Sequence, residues 1–198
     1  KRVVDPDGAG MANSRLVAEA RALARLNHPH VVEVYDVWAE EREVVLVMEY
    51  VDGPTLRKWL HESNRSWKEI VDCFVGAGRG LAAAHRADLL HRDFKPENVL
   101  VSSVDGLAKV IDFGLVKADL SLKSTPGDSL DDLDLESLET RPGYVMGTVR
   151  YMAPEQHRAR TLNPAADQYA FCVALWEALA GEAPFGGKRI ATAKVKGP

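Results

Sequence analysis

The spacing of apolar residues changes along the chain, and each change predicts an element. Between 14 and 26, Leu16, Ala20, Leu23 and Ala24 recur at helical spacing, which predicts an amphipathic helix capped by Asn13 or Ser14. Residues 31–38 and 44–50 are apolar runs rich in Val, Tyr and Trp. The charged stretch 40–43 between them predicts a turn joining two strands. After Asp52-Gly53-Pro54, residues 55–62 predict a short helix. Residues 67–86 carry Ile70, Val71, Phe74, Ala77, Leu81 and Ala84 on one stripe, which predicts a long helix with one buried face. Residues 99–102 and 108–111 flank Asp105-Gly106, a pair suited to a hairpin turn.

Composition narrows the class. The chain has 198 residues, enough for one substantial core shared between two unequal parts, and a formal net charge of −4. That charge gives no sign of nucleic-acid binding, and the cluster Lys188, Arg189, Lys194 and Lys196 reads as a solvated end. Two cysteines, Cys73 and Cys172, make no disulfide framework and suit a reducing cytosol. No run reads as a membrane span or a signal peptide, so a cytoplasmic location is expected for this stretch, with any membrane anchor of the parent protein outside it. No Cys/His spacing suggests zinc, and no internal repeat appears.

The chemistry is concentrated in His91-Arg92-Asp93-Phe94-Lys95-Pro96-Glu97-Asn98, followed by Asp112-Phe113-Gly114. Any one Asp or Asn reads most simply as a turn former or a cap. Together, in this order and spacing, they resemble the catalytic loop and metal-binding turn of protein kinases. The resemblance implies catalytic roles for four residues. Asp93 orients the acceptor hydroxyl and takes its proton, and Lys95 neutralises charge on the moving phosphoryl. Asn98 and Asp112 hold Mg²⁺ through oxygen ligands. His91 reads as a buried packing residue, and His85 as a last-turn partner of its helix dipole.

A second block agrees. Gly147-Thr148-Val149-Arg150-Tyr151-Met152-Ala153-Pro154-Glu155 resembles the end of a kinase activation segment. Lys95 with Thr148 is the serine/threonine pattern. Residues 167–176 resemble the central buried helix of the large lobe, in which Asp167 braces the catalytic loop. Cys172 stands where the family usually has Gly and reads as a core filler. Kinases of small molecules of the aminoglycoside type share the Asp and Asn logic but lack Ala-Pro-Glu, and are a distant alternative.

The nucleotide side is also implied by the resemblance. Glu49, Tyr50 and Val51 correspond to the hinge that binds adenine, Met48 guards the pocket behind it, and Leu100 lines the same pocket. Glu19 lies ten positions before Pro29 of Asn27-His28-Pro29, the register of the helix glutamate that pairs with the nucleotide-binding lysine. Lys1 has the right separation from Glu19 to be that lysine; a surface lysine at the chain's first position is the plainer reading.

The expected fold is therefore α+β, a protein-kinase-like two-lobe fold incomplete at both ends. Residues 1–51 form part of the small lobe and 52–198 part of the large lobe. The activation segment, 112–155, is long. Its middle carries Asp128, Asp131, Asp132, Asp134, Glu136 and Glu139, with Leu130, Leu133, Leu135 and Leu138 among them. It reads as a mobile acidic loop, or as a docking element or short helix over the active site. The expected function is transfer of the γ-phosphate of ATP, with Mg²⁺, to Ser/Thr hydroxyls of protein substrates, in the eukaryotic-like style of bacteria. The alternative is a non-catalytic kinase-like binding module. Arg92 beside Asp93 implies a cation waiting for an anion: a phosphate at Thr140, or at Ser137, Ser129 or Thr125, or a carboxylate such as Glu136 or Glu139. A second copy is the expected partner if phosphorylation occurs in trans.

Overall fold

The computed structural model describes residues 2–4, 10–39, 43–113, 150–157 and 162–185. Lys1, the turn at 40–42, Gly114, the acidic segment, Gly147, Thr148 and the basic end lie outside the described residues, and so do the expectations placed on them.

The first part is a three-stranded antiparallel sheet in the order β1-β3-β2, with β1 at Arg2–Val4, β2 at Val34–Ala39 and β3 at Glu43–Met48. Val3 pairs with Val44, and Val37 with Leu46. Pairing slips between Val34 and Asp36, near the start of β2, with Val34 still paired to Met48. Residues 31–33, expected as strand, run on differently. Val31 makes an isolated parallel bridge to Val110, and the Val32 N–H donates to the Val110 carbonyl at 2.9 Å. Helix α1, Gly10–Ala24, packs across β2 and β3 and buries Ala20 and Leu23. It begins before position 13, so Asn13 and Ser14 lie inside the helix rather than at its cap.

The second part is mainly helical. In α2, Leu56–Glu62, Thr55 is the N-cap and accepts from the Lys58 N–H. Helix α3 spans Trp67–Arg86 as its apolar stripe predicts. Ser66 and Glu69 form a reciprocal capping box, which satisfies donors that the first turn leaves open. A single 3₁₀ turn, Pro96–Asn98, leads into β4, Val99–Val101, which pairs with β5, Ala108–Val110. Gly106 in the connecting turn has φ +73°, a conformation glycine adopts without steric cost. Helix α4 is the single turn Pro154–His157, and α5 runs Pro164–Ala180. Asn163 caps α5 by accepting the Ala165 N–H at 2.8 Å, and the left-handed Gly181 ends it. Among the described residues no helix is long and apolar enough to cross a membrane.

One core joins the two parts. Ala20, Leu23, Val44 and Leu46 from the sheet side are continuous with Phe74, Ala77, Leu81, Val99 and Val110. The seam is the loop after α1, laid directly on α3. A Cβ on Gly80 would stand 2.3 Å from the His30 carbonyl oxygen, so only glycine lets this loop approach. That carbonyl accepts the Val110 N–H at 2.9 Å, which fixes β5 against the loop. Cys73 is buried, and burial pushes its thiol up to about 12. Cys172 is exposed on α5, contrary to its reading as core filler.

Candidate active site

The candidate site forms where the turn after α3 meets β4, β5 and α5. Asp167 is 2% exposed and organises it. Its Oδ1 accepts the Arg92 N–H at 2.7 Å, and its Oδ2 accepts the His91 N–H and the His85 Nε2–H, each at 2.8 Å. Burial alone raises the carboxyl's pKa. The hydrogen bond from His85, the nearby His91 and the two backbone donors outweigh that and hold it below the usual carboxylate range. The clamp stabilises a backbone that resists it, because Arg92 has φ +63°, the left-handed region.

His91 is fully buried, and burial pushes its imidazole pKa down. Its bonds define the neutral tautomer: Nε2–H donates to the Ile111 carbonyl at 2.9 Å, and Nδ1 accepts the Asp93 N–H at 3.3 Å. Its ring packs against Phe94 and Phe113 at 5.8 and 4.9 Å between centroids. Phe94 in turn rests on Phe171 of α5. The histidine is a packing and orienting group, as the sequence implied.

Three of the expected catalytic residues converge. Lys95 Nζ lies 3.1 Å from Asp93 Oδ2. Asn98 Nδ2 donates to the Asp93 carbonyl at 2.8 Å and to Asp93 Oδ2 at 3.3 Å. All three side chains are largely withdrawn from water. Asp112 is brought alongside by the backbone, since the Ile111 N–H donates to the Asn98 carbonyl at 2.9 Å. Asp112 has φ +56°, a second left-handed residue within the site.

The donor set can be tested against Mg²⁺. With its amide N–H₂ committed to Asp93, Asn98 retains its Oδ1, and Asp112 supplies a carboxylate. No cluster of three or more His, Cys, Asp or Glu exists among the described residues. Two hard oxygen ligands suit Mg²⁺, which takes few protein ligands and completes its shell with water and phosphate oxygens.

The expected hinge follows β3. Met48 is partly buried against the core, and Tyr50 is 87% exposed. Glu49 does two things with its side chain: it accepts Lys109 Nζ at 2.6 Å and the Glu33 N–H at 3.3 Å. Its own N–H donates to the Glu33 carbonyl at 2.8 Å. The chain then turns back along β4: the Val101 N–H donates to the Pro54 carbonyl, the Ser103 N–H to the Asp52 carbonyl, and Thr55 bridges Leu100. Leu100 therefore sits beside the segment that follows Val51.

Glu19 is in the site, but with a partner the sequence did not imply. Arg92 Nη1 meets its Oε1 and Oε2 at 3.2 and 2.9 Å, and Nη2 meets Oε1 at 3.2 Å. The partners expected for the two residues, Lys1 for Glu19 and the acidic segment or a phosphate on it for Arg92, lie outside the described residues. Arg92 has an anionic partner in the α1 carboxylate. The physical reason is that α1 lies close enough to the loop for a forked guanidinium to reach a carboxylate, a geometry arginine favours. His85 was also missed as a member of the site. Its signal was its place at the end of the α3 apolar stripe, near Leu81 and Ala84.

Comparison with known proteins bears on this geometry. The family profile described as "Protein kinase domain" matches residues 1–197. The chain is 41% identical over 175 residues to the serine/threonine-protein kinase PknL of Mycobacterium tuberculosis, covering 88% of this chain and 40% of that protein. It is 38% identical over 188 residues to PknA of the same organism, covering 92% of this chain and 40% of PknA. A probable serine/threonine-protein kinase PknB of Lactococcus lactis matches at 36% over 181 residues, covering 89% of this chain and 26% of that protein. Among solved structures, Rad53 residues 1–466 in complex with AMP-PNP superposes with TM-score 0.67 at 22% identity. That match covers 90% of this chain and 42% of the solved one, and it shows a shared fold. The chain thus spans about two-fifths of the length of the first two of these relatives.

Proposed function

This chain belongs to the protein kinase domain family, and from that premise we propose that its parent protein is a serine/threonine protein kinase transferring the γ-phosphate of ATP to hydroxyls of protein substrates. The observation that carries the reading is the convergence of Lys95 and Asn98 on the Asp93 carboxylate, at 3.1 and 3.3 Å. Phosphoryl transfer needs positioned charge more than covalent help, and this group supplies it.

Asp93 is the group that orients the acceptor hydroxyl and receives its proton. Asn98 holds the Asp93 backbone and carboxylate together, which keeps the base at one angle. Lys95 places a positive charge beside that carboxylate, where negative charge gathers on the transferring group. Asn98 Oδ1 and Asp112 are the ligands for Mg²⁺, which when bound neutralises phosphate charge. The Glu49 carbonyl and Val51 N–H are the adenine contacts, with Met48 and Leu100 on the ring, and Lys1 with Glu19 on the phosphate side. Residues 1–51 form the smaller unit and 52–198 the larger. Dependence on ATP places the reaction in the cytoplasm, and a second copy is the partner for any phosphorylation in trans.

The test is Asp93→Asn in the full-length protein. Phosphotransfer to a Ser/Thr peptide falls about 10²–10⁴-fold, while ATP affinity stays within a few-fold. Near-normal turnover sinks the assignment. Titration of Mg²⁺ against Asp112→Ala gives the companion result: a weakened metal dependence of nucleotide binding.

A further inference from the structure

Gln156 joins two segments of the candidate site through one side chain. It lies in α4, the single turn Pro154–His157. Ala153 precedes that turn, and Gln156 takes both of its backbone groups. The Gln156 N–H donates to the Ala153 carbonyl at 2.9 Å, and Gln156 Oε1 accepts the Ala153 N–H at 2.8 Å. Ala153 is fully buried, so without that acceptor its N–H stays dry. This half of the arrangement is an ordinary helix cap, and a glutamate at 156 performs it equally well. The other half is different. Gln156 Nε2 donates to the Arg92 carbonyl at 2.9 Å, across 64 positions. A carboxamide accepts at one end and donates at the other, which a carboxylate cannot do, and the two partners define which end is which.

The second bond holds a critical piece of backbone. Arg92 has φ +63°, a left-handed conformation that a residue with a side chain keeps only under constraint. Three segments supply the constraint: Asp167 Oδ1 accepts its N–H at 2.7 Å, Glu19 meets its guanidinium at 2.9 Å, and Gln156 takes its carbonyl. That carbonyl belongs to the peptide unit shared with Asp93. The other polar group of the unit, the Asp93 N–H, donates to His91 Nδ1 at 3.3 Å. Gln156 thus makes the shorter of these two bonds on the plane of the peptide entering Asp93. Rotation of that plane swings the Asp93 carboxylate, and a misplacement of about 1 Å at a reacting group costs on the order of 10²-fold in rate.

We propose that Gln156 is a positioning residue for phosphotransfer: its carboxamide ties the Ala153-Pro154-Glu155 turn to the peptide ahead of Asp93 and holds the base at its working angle. This rests on the phosphotransfer reading above. Gln156 acts through Arg92 and Asp93, not on the acceptor or the nucleotide. The turn and the base move as one unit, because a shift of Ala153 pulls through the carboxamide on the Arg92 carbonyl.

The experiment is Gln156→Glu in the full-length protein, which keeps the cap and removes the donor. Turnover of a Ser/Thr peptide, expressed as kcat per ATP-binding site, falls about tenfold, the scale of one hydrogen bond. KM for ATP stays within about twofold, since the nucleotide contacts are untouched. In an Asp93→Asn background the same substitution changes kcat by less than about twofold, because the group being positioned is gone. A cap alone lowers both backgrounds equally. Near-wild-type kcat for Gln156→Glu, or an equal loss in the two backgrounds, overturns the proposal and leaves the kinase reading intact. If wild type transfers phosphate to no peptide and not to itself, the kinase reading falls and takes this role of Gln156 with it. Should Gln156→Glu fold too poorly to bind ATP, Gln156→Met decides by the same two comparisons: a tenfold loss confined to the Asp93 background supports the role, and any other result refutes it.

Discussion

Asp167 and Arg57 each gather several partners around the catalytic loop, but they hold different things. Asp167 is almost fully buried and accepts two backbone N–H groups and one imidazole N–H. Arg57 keeps 27% of its side chain exposed, and its hydrogen-bond partners among the described residues are side chains: Glu97, Glu177 and Tyr151. The first cluster fixes the path of the main chain, including the left-handed Arg92, whatever is bound. The second leaves the main chain alone and distributes charge along its edge. A buried anion bonded to backbone amides is costly to disturb, because each orphaned donor stays dry. A half-exposed guanidinium is replaced by water at little cost.

The comparison breaks most sharply at Asp167. Asp167→Ala in the full-length protein strands the His91 and Arg92 N–H groups, and costs about 3–5 kcal/mol in denaturant unfolding. A loss below about 1 kcal/mol means that water or another acceptor replaces the carboxylate, and the clamp is not what holds the loop.

The Glu19–Arg92 pair lies between the two clusters in exposure, with side chains 19% and 16% exposed. A double-mutant cycle of Glu19→Gln and Arg92→Met should give a coupling of about 1–2 kcal/mol, above a surface pair and below a buried one. Zero coupling would place α1 away from the loop in solution.

Acid sharpens the contrast, since the shifted groups near Asp167 all act in one direction. His91, mainly through burial, and Asp167, through its donors, both have lowered pKa values in the folded state; His28, mainly through burial, follows the same sense. Between the folded and unfolded values the unfolded chain binds more protons, so stability rises with pH. The histidine contribution is complete above about pH 6.5 and fades below it, and the Asp167 contribution fades below about pH 4. Melting temperature should therefore fall as pH drops from 7.5 to 5. A rise over that range contradicts the buried neutral imidazole.

The smallest effect belongs to the outer cluster. Glu97→Gln removes one half-exposed contact of Arg57 and should change stability by under about 1 kcal/mol. A loss of several kcal/mol in the same unfolding assay would make this cluster a structural clamp like the first.

Local sequence was enough for the elements whose evidence is local. The 67–86 stripe predicts α3 to its ends because Ser66 and Glu69 cap it and its apolar period is unbroken. The convergence of Asp93, Lys95, Asn98 and Asp112 was legible because the segment 91–98 is continuous, and one hairpin returns Asp112 to Asn98. The start of α1 was not legible, since neither Asn13 nor Ser14 differs locally from a cap that happens to be used. Cys172 was misread because an apolar helix gives no sign of which face is covered.

By itself, then, the sequence determined the family and the α+β order of elements and singled out Asp93, Lys95, Asn98 and Asp112 as a candidate site, all from motifs written in near neighbours. The tertiary structure alone decided the pairings. Glu19 meets Arg92 across 73 positions, His85 and Asp167 meet across 82, and Arg57 meets Glu177 across 120. Charged side chains at those separations read as solvated surface until packing of α1, α2, α3 and α5 around one core sets them within hydrogen-bond reach. Coulombic and hydrogen-bond energies depend on that last few ångströms and on the exclusion of water, and neither quantity is encoded in spacing along the chain.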